Sequence, residues 1–500
     1  MEGHEVLATF EAYAKSRDYF SLRAFRDTCC PTSELQPLLL SLLPTLSRLS
    51  LGWRGSARDY RIFRIPNKPP VSLPDAAARA FTMQIGREAA LAELQDLTEQ
   101  YIESKTGKRW DDPLVLERIR SAIMQQKGQY WKEGESRRIG YRKGYAVIAY
   151  LSYHAPVYFS QFQHVFLMLV KDGLVPNHAR ILDLGSGPGV VALAIAASAR
   201  SIPEFSAELF ALERSEEFLE SYRFLVSRFT KGEPRITAYP AISGDLRDAD
   251  ALLLPSALDL IVMQNVTNEL VDESPEAKAL YLKRFSRLLA PHGCMIIIEP
   301  AERRNAMELR KMVQAAAGQD LQIHSPCTCI RQARCAAERC WSFVKKPSIQ
   351  PTRLMNALSG NNEAFRFENT DIKFSYAVLV KDQRRRHTYS PGKSSSFLPL
   401  SSLKDRIGRR IDVAAALMSG DIGNKGTHVF LLCDGTSRQP VYVVLPHFHL
   451  SRENQELLSL PYSSILEITG ALVRFNRNYG AWNLFLTQDS RVTLVSKAKV

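Results

Sequence analysis

The chain lacks a membrane anchor of the ordinary kind. No run of about 18 apolar residues occurs in its 500 residues, so no membrane-spanning helix and no membrane insertion are expected. The N-terminal stretch MEGHEVLATFEAYAKSRDYF has no apolar core and carries early acids, which fits neither a secretory signal nor an Arg-rich transit peptide. Acidic residues are in deficit: 52 Asp plus Glu against 65 Lys plus Arg leave a net charge of +13. That excess favours an acidic partner, most commonly nucleic acid, over an unspecialised basic surface. Cysteines are few and unevenly placed. Four of the 8 fall in CTCIRQARCAAERC, 327–340, and the rest are Cys29, Cys30, Cys294 and Cys433. Such crowding in a large chain is not the layout of a secreted disulfide framework, and points to metal binding in a reducing compartment. There is no internal repeat.

What is present is globular: 45% hydrophobic and 23% charged residues, and length enough for two to four domains. Residues 1–163 read as a helical N-terminal region, because LQPLLLSLLPTLSRLSL, AALAELQDLTEQYIESKTGK and LERIRSAIMQQKGQYW repeat apolar residues at three and four spacing. Leu51 to Pro70 reads as a loop. Between Lys127 and Lys143 cations are mixed with Tyr130, Trp131 and Tyr141, a combination suited to RNA contact. Residues 164–382 alternate short β-rich runs with helices. ARILDLGSG, AELFALE, LDLIVMQ and CMIIIEP are apolar throughout, as parallel strands covered on both faces should be. Residues 383–402 have linker composition. Residues 403–500 return to strand signals without long helices, which suggests a small all-β, OB-like barrel or sandwich.

ILDLGSGPGVVALAIAA is the most informative local sequence. A strand enters Gly185, Ser186, Gly187, Pro188 and Gly189 and leaves as an apolar helix. Glycines let the backbone turn tightly and approach a ligand, and the helix start offers unpaired N–H groups. Asp183, ahead of the first glycine, resembles the acid of the S-adenosylmethionine loop in Rossmann-like methyltransferases. The resemblance continues in order, with Glu213 ending the second strand, Asp245 after the third, and Gln264 and Asn265 ending the fourth. It implies that Glu213 accepts the ribose hydroxyls, Asp245 holds the adenine amine, and Gln264 and Asn265 face the methyl donor. Catalysis is less supported than binding. QNVTNEL has neither the prolines nor the aromatic of exocyclic-amine methyltransferases, no Pro-Cys nucleophile stands at that strand end, and no Lys-Asp-Lys-Glu set is visible. Catalytic residues are unassigned.

In the cysteine segment, one residue separates Cys327 from Cys329, followed by gaps of five and four to Cys335 and Cys340. Zinc prefers pairs two to four residues apart. An iron–sulfur cluster also takes four thiolates and tolerates varied spacing. Arg331, Arg334 and Arg339 would offset thiolate charge.

From Tyr141 to Pro446 the chain resembles mitochondrial methyltransferase-like proteins that assemble the small ribosomal subunit. The similarity lies in AYLSYHAPVYFSQF, ILDLGSGPG, TNEL, GCMIIIEPAERRNAMELR, SPC, CWSF, KFSYAVLVK and HVFLLCDGTSR. It implies a Rossmann-like class I methyltransferase core with a metal insertion at 325–347, and a four-iron cluster held by three nearby cysteines and one distant one. Carried over, Cys335, Cys340 and Cys433 are ligands. The fourth is Cys329, by its gap to Cys335, or Cys327, by its preceding Ser-Pro. Zinc is the alternative metal. The resemblance also implies a mitochondrial matrix location and partners among small-subunit ribosomal RNA and ribosomal or assembly proteins. The expected function is an assembly factor that binds precursor rRNA, S-adenosylmethionine and an iron–sulfur cluster. The alternative is an active rRNA methyltransferase. A small-molecule methyltransferase would leave the basic charge and β domain without purpose.

Overall fold

A computed structural model describes residues 3–56, 58–130, 144–318, 320–328, 330–331, 335, 339–360, 367–382, 384–392 and 396–496. Cys329, Arg334 and the basic-aromatic stretch from Trp131 to Lys143 lie outside these. The chain divides into two compact units, 1–296 with 347–372, and 297–346 with 373–500.

The first unit opens with helices whose apolar stripes drive burial. In Leu35–Arg48 the buried leucines are Leu35, Leu38, Leu39, Leu42, Leu43 and Leu46, one face of a 3.6-residue period. Leu51 to Arg64, expected to be a loop, is instead a hairpin. Strand β1 (Tyr19–Ser21), β2 (Leu51–Ser56) and β3 (Asp59–Arg64) form a sheet in the order β1-β3-β2. Arginines interrupt its alternation. In the hairpin strands only Leu51, Gly52, Tyr60 and Ile62 are buried, so the period-two signal is too short to stand out.

The α/β core follows. Strands β4 (His178–Leu184), β5 (Ser206–Glu213), β6 (Ile236–Ala238), β7 (Ile242–Ser243), β8 (Leu258–Gln264) and β9 (Leu289–Pro300) include the sheet order β9-β8-β4-β5-β6. β4 runs parallel to both β5 and β8, and β5 runs parallel to β6. Six of the seven residues of β4 are buried, as expected for a strand covered on both faces. The order reverses at β4, with β5 on one side and β8 on the other. This is the switch point at which doubly wound sheets bind ligands, beyond the carboxyl ends of the strands. The core is thus a Rossmann-like class I methyltransferase fold.

The second unit begins with the last residues of β9. It contains β10 (Gln322–Ser325), β11 (Val344–Lys346) and β12 (Ile372–Val380), with β10 antiparallel to β12. Strands β13 (Arg410–Leu417), β14 (Thr427–Cys433), β15 (Val441–Pro446), β16 (Ile465–Asn476) and β17 (Ala481–Phe485) close a five-stranded barrel in the order β13-β14-β15-β17-β16, β16 pairing back to β13. β15 and β17 are parallel while the other neighbours are antiparallel, the strand arrangement of an OB-like barrel. β18 (Arg491–Ser496) adds to β16. Val413, Val443, Leu466, Ile468, Val473 and Leu484 fill the interior. The described part of the linker segment is strapped to this unit. Tyr389 donates to Glu467 at 2.6 Å, Ser390 to the Ile330 carbonyl at 3.0 Å, and the Leu400 N–H to Asp434 at 2.8 Å.

Candidate functional site

At the carboxyl end of β4 the glycine loop takes left-handed backbone at Gly185, Gly187 and Gly189 (φ 68°, 52° and 92°). A Cβ on Gly189 would stand 2.5 Å from Val226 Cγ2 and 2.9 Å from Tyr222 Cδ2, so helix packing forbids a side chain there. At Gly187 a Cβ would meet nothing within 4 Å. That glycine faces open space in a cleft that is partly open to solvent.

Glu213, at the end of β5, is buried at the wall of this cleft. Its carboxylate accepts N–H donors from Gly187 (2.9 Å), Arg214 (2.9 Å) and Ser215 (2.8 Å). Asp183 lies one layer behind. Burial, reinforced by the Glu213 charge, pushes its carboxyl well above the usual range. Gln264 donates to the Tyr158 carbonyl at 3.0 Å and to Gln161 Oε1 at 3.1 Å. Asn265 holds a left-handed backbone (φ 57°), and neither atom of its buried side-chain amide has a partner among the described residues. A buried amide with no partner is costly, and it suits a site completed by a ligand. Gln264 Oε1, Ser186 Oγ and Asp183 Oδ2 are also without partners there.

Of the nine residues predicted to hold the cofactor, Gly185, Gly187, Glu213, Gln264 and Asn265 line the cleft. Asp183, Ser186 and Gly189 support it from the strand and loop. Asp245 is not among the lining residues. It caps the turn Leu246–Ala251 through the Arg247 N–H at 2.9 Å and pairs with Arg214 and Arg247 at 3.2 and 3.3 Å. Burial works against its ionisation, but these donors hold its carboxyl below the ordinary range. The motif reading did not assign Tyr150, Tyr158 and Phe218, which supply the aromatic side of the cleft. The signal for Tyr150 and Tyr158 was the aromatic spacing of YLSYHAPVYF; Phe218 lies on the helix Glu216–Phe229. His154, stacked on Tyr158, is held near a pKa of about 4 by burial and by Lys127.

In the second unit, Cys327, Cys335, Cys340 and Cys433 line one cavity with Gln314, Met418 and Gly435. The strand THVFLLC thus carries the distant cysteine to the three of the segment. The Gly435 N–H donates to Cys433 Sγ at 3.4 Å. A hydrogen bond with Cys335, then burial, then the neighbouring thiols raise the Cys433 pKa well above its usual value. Cys340 is raised by burial and by Cys335, against the pull of Arg310. Among the described residues, no three His, Cys, Asp or Glu side chains stand together at the spacing of one metal ion's ligand shell. The donor set itself, soft sulfur throughout, is of the type that takes zinc or an iron–sulfur cluster.

Arg310 is the cation that the sequence reading missed. It is 2% exposed on the helix Arg303–Ala316. It donates to the Tyr376 carbonyl at 2.7 Å and the Ser342 carbonyl at 3.4 Å, and it lies beside Tyr462, Cys327 and Cys340. Its position four residues after Ala306 on a buried stripe was the available signal. Arg331, one of the cations expected to face the thiols, instead pairs with buried Asp434 at 3.2 Å.

Residues 401–495, which span the barrel, match a family described as a domain of unknown function (DUF8157), C-terminal domain. No curated protein matches the chain. Among solved structures, it is similar to magnesium protoporphyrin IX methyltransferase from Synechocystis PCC 6803, crystallised with bound SAH. That match has 12% identity and a TM-score of 0.29, covering 54% of this chain and all of that one. It is also similar to a class I S-adenosylmethionine-dependent methyltransferase from Listeria monocytogenes (10% identity, TM-score 0.32, 62% of this chain and 94% of that one). A third is an S-adenosylmethionine-dependent methyltransferase from Thiobacillus denitrificans in complex with S-adenosyl-L-homocysteine (18% identity, TM-score 0.21, 28% of this chain and 48% of that one). At such scores it is the strand order and the glycine loop of this chain, not the likenesses, that define its core as a Rossmann-like methyltransferase fold.

Proposed function

We propose that this protein is a mitochondrial small ribosomal subunit assembly factor that holds precursor rRNA, binds S-adenosylmethionine in the glycine-loop cleft, and carries an iron–sulfur cluster on the cysteine site. The observation that carries the cofactor reading is the cleft at the switch point, where Glu213 and the unpartnered Asn265 amide face the same space as Gly187. Gly187 and Glu213 would hold the ribose side, and Gln264 and Asn265 would line the methyl donor. The bound cofactor supplies an electrophilic methyl group. Among the described lining residues there is neither a cysteine nucleophile nor a Pro-Pro-aromatic clamp, which favours an assembly role over transfer.

The RNA reading is supported by the +13 charge and by the OB-like barrel, a fold that takes oligonucleotides in many proteins. Four cysteines on one cavity support the cluster. The matrix location and the ribosomal partners rest on the family resemblance. The test is to incubate purified protein with precursor small-subunit rRNA and methyl-labelled S-adenosylmethionine. Cofactor and RNA binding without label transfer is the expected result. Label transfer would establish the alternative, an active rRNA methyltransferase, for which the unpartnered Asn265 amide at the end of β8 is the favouring observation.

A further inference from the structure

A second cleft lies in the barrel unit, apart from the cofactor cleft. It has a volume of about 1,830 Å³ counting its open part, and is lined by Arg339, Lys404, Arg438, Ser401, Thr436 and Trp482 among others. The three cations are exposed and come from three separate chain segments: the cysteine segment, the turn Leu400–Asp405, and the β14–β15 connection. No carboxylate is among the lining residues, and none of the three cations has an ion-pair partner among the described residues. Three uncompensated cations around one hollow repel each other, and an anion that enters relieves this.

The walls are fixed in advance. Asp434 is buried and ties the two loops together. It accepts the Leu400 N–H at 2.8 Å from one loop, and the Thr436 N–H at 2.8 Å and hydroxyl at 2.7 Å from the other. Thr436 Oγ1 in turn accepts the Ser401 N–H at 3.1 Å. Trp482, packed on Phe475 at 4.6 Å, provides an apolar floor. A preset cleft with cations on several sides and hydroxyl and amide groups between them fits a run of phosphates on a flexible backbone.

We propose that Arg339, Lys404 and Arg438 form a groove for the phosphate backbone of a single-stranded RNA segment. The proposal rests on the RNA-binding reading above and gives it a location.

The test uses the full-length protein and a fluorescein-labelled 20-nucleotide single-stranded RNA from the small-subunit rRNA precursor, with anisotropy measured across a salt series. Lys404→Glu with Arg438→Glu leaves the cysteine segment untouched. It should weaken binding about tenfold and lower the slope of log affinity against log salt by about 1.4, at ~0.7 for each phosphate no longer neutralised. Arg79→Glu with Lys231→Glu, an equal charge change at exposed positions of the first unit, should leave that slope unchanged. No RNA binding by the wild-type protein would refute the RNA-binding reading itself. Wild-type binding with an unaltered slope in the Lys404/Arg438 variant, or an equal loss in the Arg79/Lys231 variant, would overturn the groove. Competition by polyglutamate as strong as that by unlabelled RNA would also overturn it, in favour of an acidic protein partner.

Discussion

The Gly187 N–H donates to Glu213 Oε2 at 2.9 Å, joining the middle of the glycine loop to the end of the neighbouring strand. One carboxylate therefore shapes the loop and faces the cofactor cleft. Glu213→Gln keeps the size but removes the charge and one acceptor. Hydrogen bonds to charged groups are worth about 1.5–3 kcal/mol, so S-adenosylmethionine binding should weaken at least about tenfold by titration calorimetry. Unchanged affinity would remove Glu213 from the cofactor site.

The two inner glycines should separate stability from binding. Gly189→Ala forces a Cβ into Val226 and Tyr222 and should destabilise the protein by about 1–3 kcal/mol. Gly187→Ala has room for its methyl group but strains the left-handed backbone (φ 52°), so it should cost less stability than Gly189→Ala while also lowering cofactor affinity. Denaturant midpoints and calorimetry on both variants check the contrast, and equal stability losses would contradict it.

Cys433→Ser should lose cluster absorbance and RNA association together. Retention of full iron in the purified variant would sink the assignment of Cys433 as a ligand. Cys327 lines the thiol cavity and Cys329 lies outside the described residues, so Cys327→Ser and Cys329→Ser are compared for metal content: the variant of the fourth ligand should lose metal and the other retain it. Metal loss in Cys329→Ser alone would make Cys329 the fourth ligand.

Arg310→Met removes the guanidinium donor to the Tyr376 carbonyl, while the Ser342 carbonyl keeps the Ser375 hydroxyl at 2.7 Å. Loss of a hydrogen bond from a charged donor costs about 1.5–3 kcal/mol, so the thermal midpoint should fall by several degrees, with metal content reduced as well. A variant as stable as wild type would show that the guanidinium is not needed for the fold.

Stability should decline in mild acid. Burial, with Lys127 beside His154, Arg386 and Arg384 beside His324, and Arg386 beside His387, holds each imidazole at about 4. A folded value below the unfolded 6.5 means that the unfolded chain binds the extra protons. The contribution is complete above pH 6.5 and is lost as the pH falls towards 4, by up to about 3 kcal/mol per histidine. Denaturant midpoints between pH 7 and 4 measure this, and a flat profile would contradict the burial of these rings in neutral form.

The glycine-loop cleft was largely legible because its determinants are local. A strand, three glycines and a helix lie within one short stretch, and Glu213 ends the next apolar run. Asp245 was placed by order alone; it is not among the lining residues of the cleft, and its carboxylate pairs with Arg214 and Arg247. The hairpin of β2 and β3 escaped because too few of its residues are buried to show alternation. Arg310 escaped because a cation on a buried stripe becomes meaningful only once Cys327 and Cys340 are known to lie beside it. The basic groove was invisible for a similar reason: its three cations are brought together by folding and share no local motif.

Cys433 and Asp434 are consecutive residues. The first belongs to the thiol cavity, and the second pins both loops of the basic groove. One peptide unit is therefore the whole length of the lever between the two sites. A shift of the backbone at Cys433, whatever causes it, reaches the anchor of the groove loops before it can be absorbed by any intervening residue.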